Sequence, residues 1–267
     1  MRCADIGSSY GSCAHQRSHT INCCVNNLAI NNVMNIIIAT LVMTHITMIC
    51  VTLYLHRNQS HRSMEFHPAL AHLMRFWLWM TTGMTTKQWV AVHRKHHHYT
   101  DVEGDPHSPH VYGIIAVMTS GMKLYNVPCQ DAKFVMQYGK GTPKDWIERK
   151  LYTPYPLLGI LLMLVIDLVL FGPWGFVVWS VQMIWVPVIA GGMINGIGHW
   201  WGYRNGDTTD HSRNISPIGI IQAGEELHNN HHLDPASPKF SRMWWEFDIG
   251  WMWFKIFEFL RLARLRS

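Results

Sequence analysis

Residues 33–55, VMNIIIATLVMTHITMICVTLYL, carry no formal charge and run directly into HRNQSH at 56–61. As an α-helix the apolar stretch reaches about 34 Å at 1.5 Å per residue, enough to cross a hydrocarbon core. A membrane helix that delivers histidine at its mouth is the pattern from which the rest of the chain is read.

The 267 residues are 48% hydrophobic and only 15% charged, low in charge for a soluble protein. Residues 156–172 (PLLGILLMLVIDLVLFG) and 174–198 (WGFVVWSVQMIWVPVIAGGMINGIG) read as a second and third span, turned at Gly172 and Pro173. Residues 68–86 are aromatic-rich but carry His72 and Arg75, and a full crossing there would set the histidines before and after it on opposite sides of the bilayer. They read as interfacial or re-entrant. On that topology residues 56–155 hold 12 Lys and Arg and residues 200–267 hold 8, against Arg2 and Arg17 in the first 32. The positive-inside rule then puts every histidine cluster in the cytoplasm. The net charge of +5 favours anionic lipid head groups and requires no nucleic acid.

Three segments follow: a polar N-terminal segment 1–30, a membrane domain 31–250, and an amphipathic helix over 251–267 lying in the membrane surface. The first holds Cys3, Cys13, Cys23 and Cys24 and lacks a secretory-signal pattern. No CxxC pair exists, so a disulfide and free thiols both remain open. Residues 100–155 read as connecting structure on the cytoplasmic side. Gly192 and Gly196 form a GxxxG, which signals close helix packing. The expected fold is all-α, an integral-membrane helical bundle under a cytoplasmic histidine-rich cap.

The histidines carry the chemistry. His93, His96 and His97 stand at i, i+3 and i+4, as do His228, His231 and His232, and these spacings project side chains to one face of a helix. His56 and His61 are five apart, roughly 140° on an α-helix, and suit a helix end. His199 closes the third span, with Asn195 one turn earlier. A lone membrane histidine such as His45 is more often a packing residue. His67, His72, His98, His107, His110 and His211 read as surface or supporting residues. Clusters of imidazole on one membrane face point to metal, and since zinc needs only about four ligands, eight or nine histidines imply two metals, with redox-active iron the natural choice. No HExxH motif places a glutamate for hydrolysis.

The chain resembles the integral-membrane fatty acid desaturases of the acyl-CoA type. HRNQSH (56–61) is similar to that family's HxxxxH box, HRKHHHYTD (93–101) to HRxHHxxTD, and GEELHNNHH (224–232) to GExxHNxHH, with GDPHSP (104–109) and NGIGH (195–199) as extensions. The resemblance implies two irons held by nine histidines: His56, His97, His199, His228 and His232 on one, His61, His93, His96 and His231 on the other, and Asn195 contacting through water. Asp101, Glu225 and Asp105 are the candidate carboxylates that orient imidazole N–H groups. Relatives commonly carry a further span before the helix leading to the first box, and residues 1–32 here are too polar to supply one.

The implied reaction is O2-dependent desaturation of a long-chain acyl-CoA or acyl-lipid to a cis-monounsaturated product. With no flavin, haem or nicotinamide fingerprint in the sequence, electrons would come from a ferredoxin or a haem carrier with its reductase. The protein would sit in the bilayer of a bacterial inner membrane or an endoplasmic reticulum, with the site on the cytoplasmic face. Trp77, Trp79, Trp89, Trp185, Trp200 and Trp201 are possible walls of an acyl tunnel, and Arg94, Lys95 and Lys123 possible contacts to a CoA or phospholipid head group. Two other classes compete: a related di-iron hydroxylase or ketolase acting on alkane, sterol or carotenoid, and a non-catalytic metal-binding membrane protein.

Overall fold

The computed structural model describes residues 33–266, so the polar segment 1–30 and the state of its cysteines lie outside the described residues. The chain divides into two compact units, residues 1–42 and 43–267. In the first, residues 33–42 are helical and turn Val33, Ile37, Ile38 and Leu41 outward. The second contains everything that follows and is mostly helical.

Helix α1 (Val33–Ser60) is π-wound over its last ten residues, Val51–Ser60. The His61 N–H donates to the His56 carbonyl at 3.0 Å, an i→i+5 link that brings the second histidine edge-on to the first. An α-helix would hold these rings apart; the wider turn brings their centroids to 4.8 Å. After a short strand β1 (Met64–Phe66), helix α2 (Pro68–Thr82) begins with proline at its first position, where a missing N–H costs nothing, and ends at Gly83 with φ 61°. Helix α3 (Thr86–Tyr99) then returns the chain to the histidine end of α1. Residues 68–86 therefore form one arm and the turn of a hairpin.

Residues 100–155 are more than connection. Beyond a single turn α4 (Pro109–Tyr112), helix α5 (Ile114–Cys129) runs on to α6 (Ala132–Tyr138). The next hairpin joins α7 (Pro156–Phe171) through a tight turn, Gly172–Trp174, to α8 (Gly175–Trp185) and a π-wound stretch, Val186–Ile194. The Trp179 indole N–H donates to the Ile160 carbonyl at 3.0 Å and Gln182 Nε2 to Asp167 Oδ2 at 2.9 Å, so the one acidic residue of these apolar helices packs the hairpin. Among the described residues two helical runs, Val33–Ser60 and Pro156–His199, are long and apolar enough to cross a membrane, the second folded back on itself.

The GxxxG pair serves α5. A Cβ on Gly192 would lie 3.3 Å from the Met118 carbonyl oxygen and one on Gly196 3.1 Å from Met118 Sδ, so α5 approaches the π-wound stretch at backbone distance.

The last third supplies β2 (Ile218–Gly219), α9 (His228–Leu233), β3 (Phe247–Asp248), α10 (Ile249–Phe259) and β4 (Ala263–Leu265). β2 and β3 pair in parallel; β4 pairs antiparallel with β1, Met64 opposite Leu265. The helix expected over 251–267 thus stops at Phe259. Arg261 takes φ 59°, and residues 263–265 give their backbone groups to β1 instead. Phe254, on the apolar face, is fully buried and meets Phe66 with ring centroids 6.4 Å apart.

Candidate metal centre

Nine histidines converge from four places in the chain, and they converge as two groups. His56, His61, His93, His97 and His231 form one, and His96, His199, His228 and His232 the other; within each group the ligand atoms all lie within 4.8 Å of one another. Helix geometry explains the split. Residues four apart differ by about 40° around a helix and neighbours by about 100°, so His93 and His97 share a group while His96 turns away. On α9 His228 and His232 stay together and His231 turns away. Each helix sends its odd histidine into the other's group. This grouping differs from the one implied by resemblance at three positions: His56 and His97 stand with His61, His93 and His231, and His96 with His199.

The Nε2 atoms meet at close range: His61 and His93 at 2.8 Å, His97 and His231 at 2.9 Å, His56 and His231 at 3.0 Å, His199 and His228 at 2.8 Å. Four imidazoles are held from behind. His56 Nδ1 donates to Glu225 Oε1 at 2.6 Å, His96 to Asp105 Oδ2 at 2.9 Å, His199 to Asp101 Oδ2 at 2.8 Å and His232 to Asp210 Oδ2 at 2.9 Å. A proton fixed on Nδ1 leaves Nε2 as a bare lone pair. Each of the three carboxylates singled out in the sequence contacts a clustered histidine. Motif spacing misses Asp210, which sits in the loop before α9 with no pattern to mark it.

This donor set fits metal. His96 Nε2 and His232 Nε2 are buried with no hydrogen-bond partner among the described residues, while the Nδ1 atoms of both donate to carboxylates. Buried lone pairs with nothing to accept are costly unless a cation shares them. Burial also keeps the imidazoles in their ligand form: it pushes His61 down to about 3 and holds His93, His97, His228 and His231 well below the usual histidine value. His96 departs upward, because the Asp105 carboxylate outweighs the burial that opposes it.

Local backbone places these acceptors. Asp101, just past α3, adopts φ 63°, a left-handed conformation that aspartate tolerates better than most residues. Its carboxylate also accepts from Ser108 Oγ at 2.7 Å and the His211 N–H at 2.8 Å. Gly224, beside Glu225, has φ 100°, and a Cβ there would lie 2.3 Å from Asp248 Oδ1 and 2.7 Å from Arg57 Nη2. Only glycine fits. Arg57, fully buried beside His56, makes a two-pronged pair with Asp248 at 2.9 and 3.0 Å, donates to the Ala223 carbonyl at 3.3 Å, and stacks 3.8 Å over Phe240. It ties the loop carrying Glu225 to α1, a role the box pattern does not reveal.

Asn195 lines a cavity that abuts both groups and holds about 860 Å³ of empty space, its open mouth included. Of the six tryptophans read as tunnel walls, Trp89 lines it; Trp200 and Trp201 are exposed. Arg94 is occupied by four backbone carbonyls, Lys95 lies 3.6 Å over the Tyr99 ring, and Lys123 is exposed. His107 is buried with its ring 4.5 Å from His96.

The family model for fatty acid desaturases matches residues 31–248. The chain belongs to the fatty acid desaturase family. Among its relatives, Delta-9 acyl-lipid desaturase 2 of Arabidopsis thaliana is 30% identical over 224 residues, covering 80% of this chain and 68% of the relative. The sn-1 stearoyl-lipid 9-desaturase of Synechocystis sp. is 30% identical over 218 residues, 80% of this chain and 66% of the relative. An acyl-CoA C20 Delta5-desaturase of Anemone leveillei is 31% identical over 228 residues, 79% and 67%. The chain thus spans about two thirds of the length of these three relatives.

Proposed function

We propose that this chain is an O2-dependent desaturase that converts a saturated fatty acyl chain to a cis-monounsaturated one at a pair of irons, from within a membrane and on its cytoplasmic face. The observation that carries the reading is the double convergence of nine imidazoles, with four of them oriented by carboxylates.

His56, His61, His93, His97 and His231 would hold one iron, and His96, His199, His228 and His232 the other, with Asn195 in contact through water. Once bound, the metals supply the oxidant for C–H bonds that acid and base side chains cannot break. The chain's own residues do the rest. Glu225, Asp105, Asp101 and Asp210 hold Nδ1 protons so that each Nε2 points inward. Met48, Val51, Val92 and Val186 give the cavity apolar walls that receive an alkyl tail and exclude water. Two electrons would come from a ferredoxin or a haem carrier with its reductase.

Expression in a host lacking its own desaturase, followed by gas chromatography and mass spectrometry of the fatty acids, tests the reading. New cis-monoenoic acids and two irons per purified chain are expected. Hydroxylated products, or a single zinc per chain, would overturn it.

A further inference from the structure

Thr47, Thr81 and Thr82 each give the hydroxyl proton to their own helix, at the carbonyl four residues back. Thr52, fully buried in the π-wound part of α1, does not. Its Oγ1 accepts from Arg57 Nε at 3.2 Å and donates at 2.6 Å to Glu225 Oε1, the same oxygen that holds His56 Nδ1. Five residues separate Thr52 from Arg57, as they separate His56 from His61. The wider turn that sets the two histidines edge-on also brings the guanidinium to the hydroxyl.

The same order recurs in the other histidine group, on an unrelated piece of chain. Arg204 Nη2 donates to Thr208 Oγ1 at 2.7 Å and to the Thr208 carbonyl at 3.2 Å. Thr208 Oγ1 donates at 2.6 Å to Asp210 Oδ1, where Ser212 also donates, and Asp210 Oδ2 holds His232 Nδ1. Arginine, threonine, carboxylate and histidine thus stand in series once behind each group. The two remaining carboxylates are supported differently. Besides its histidine, Asp105 accepts from the Asp101 and His107 N–H groups. Asp101 accepts from the His211 N–H and from Ser108 Oγ, which itself accepts from the His110 N–H.

An arginine adds direction to such a series. A guanidinium only donates, whereas a hydroxyl donates or accepts as its rotor turns. With the guanidinium on one of its lone pairs, the hydroxyl points its proton at the carboxylate, the carboxylate stays an acceptor, and the imidazole keeps its proton on Nδ1. Hydrogen bonds aligned head to tail in a dry site also polarise one another. We propose that Thr52 and Thr208 are positioning residues, each relaying the donor character of an arginine to the carboxylate behind one histidine of each group, so that His56 and His232 present Nε2 to the metals. This rests on the desaturase reading and deepens it by two residues that touch neither metal nor substrate.

Valine copies the shape of threonine without its hydroxyl, and serine returns the hydroxyl without the methyl group. The iron-loaded full chain is titrated with a chelator in detergent, and the near-infrared ligand-field bands of the remaining ferrous ions are read at each step. Thr208→Val should weaken iron binding about tenfold in the four-imidazole group alone, the low end of the range for partners of ligating histidines, with a shift in that group's bands. Thr52→Val should do the same in the five-imidazole group alone. Thr52→Ser and Thr208→Ser should restore both affinity and bands, and Thr208→Val should cost nothing more in an Asp210→Ala background. Thr208 is only half-buried, so its variants carry the test by themselves where Thr52→Val fails to fold. Unchanged release and bands in Thr208→Val, equal loss from both groups, or serine variants that behave like valine would overturn the proposal. A chain that holds both irons but forms no double bond would instead sink the desaturase reading, with the release pattern read independently.

Discussion

The two histidine groups are built on different economies of support. The five-imidazole group has one carboxylate behind it, Glu225 on His56, whereas three of the four imidazoles in the other rest on Asp105, Asp101 and Asp210. A carboxylate behind Nδ1 fixes the tautomer and makes the ligand more basic. One group therefore relies on number and the other on the quality of each ligand. Removing a histidine from the smaller group should be the more damaging lesion, since only three would remain. His96→Ala is expected to lose turnover altogether and to lower iron from two per chain to one, measured by metal analysis and product formation on the same preparation. Retained activity would take His96 out of the ligand set and leave the two groups chemically alike.

Arg57 tests whether the larger group depends on its scaffold. Both partners of its pair with Asp248 have side chains with no exposure. Arg57→Leu leaves Asp248 as a buried carboxylate without its cation, at a cost of about 3–5 kcal/mol. The expected result is a lower midpoint in thermal unfolding in detergent, with iron lost first from the group containing His56, because the loop bearing Glu225 is tied down by Arg57. An unchanged midpoint would show that the pair is dispensable.

Much of this arrangement is legible in the chain, and the exceptions have physical causes. The spacing of residues 93–97 and 228–232 puts three imidazoles on each helix, and the boxes draw attention to Glu225, Asp101 and Asp105. How the nine divide is hidden, because which neighbour turns into which group depends on the crossing of α3 and α9. The juxtaposition of His56 and His61 is also hidden, since π-winding over 51–60 leaves no composition signal. Asp210 and Arg57 act across 22 and 191 residues of sequence, on His232 and Asp248 respectively. α5 is disguised because Lys123, Pro128 and the flanking prolines give its segment the look of a loop, although its glycine-matched face is written in Gly192 and Gly196.

A subtler contrast comes from removing carboxylates one at a time. Asp210→Asn keeps the shape but weakens the proton hold on His232, and the loss in metal affinity should be about 10–100-fold. Glu225→Gln should do the same for His56, but in a group where four other imidazoles have no carboxylate to lose. Titrating the wild type with a chelator should release iron in two stages, the five-imidazole group first. Asp210→Asn should bring the stages together and Glu225→Gln should spread them. A single stage in the wild type would mean that carboxylate support does not set affinity here.

The smallest effect concerns how His61 is held without any carboxylate. Arg94 reaches across from α3 and donates to the carbonyls of Gln59 and Ser60 at 2.8 and 3.1 Å, and to those of Tyr138 and Lys140 at 3.1 and 2.7 Å. It thereby closes the end of α1 just before His61, where unpaired carbonyls and the helix dipole both favour a cation. A lysine keeps the charge but not the fork, so Arg94→Lys should surrender one or two of these bonds, about 1 kcal/mol. That is roughly a fivefold loss in affinity for the metal of the larger group, with the smaller group untouched. Equal loss from both groups in the same chelator titration would mean that Arg94 steadies α3 as a whole, since α3 feeds histidines to each.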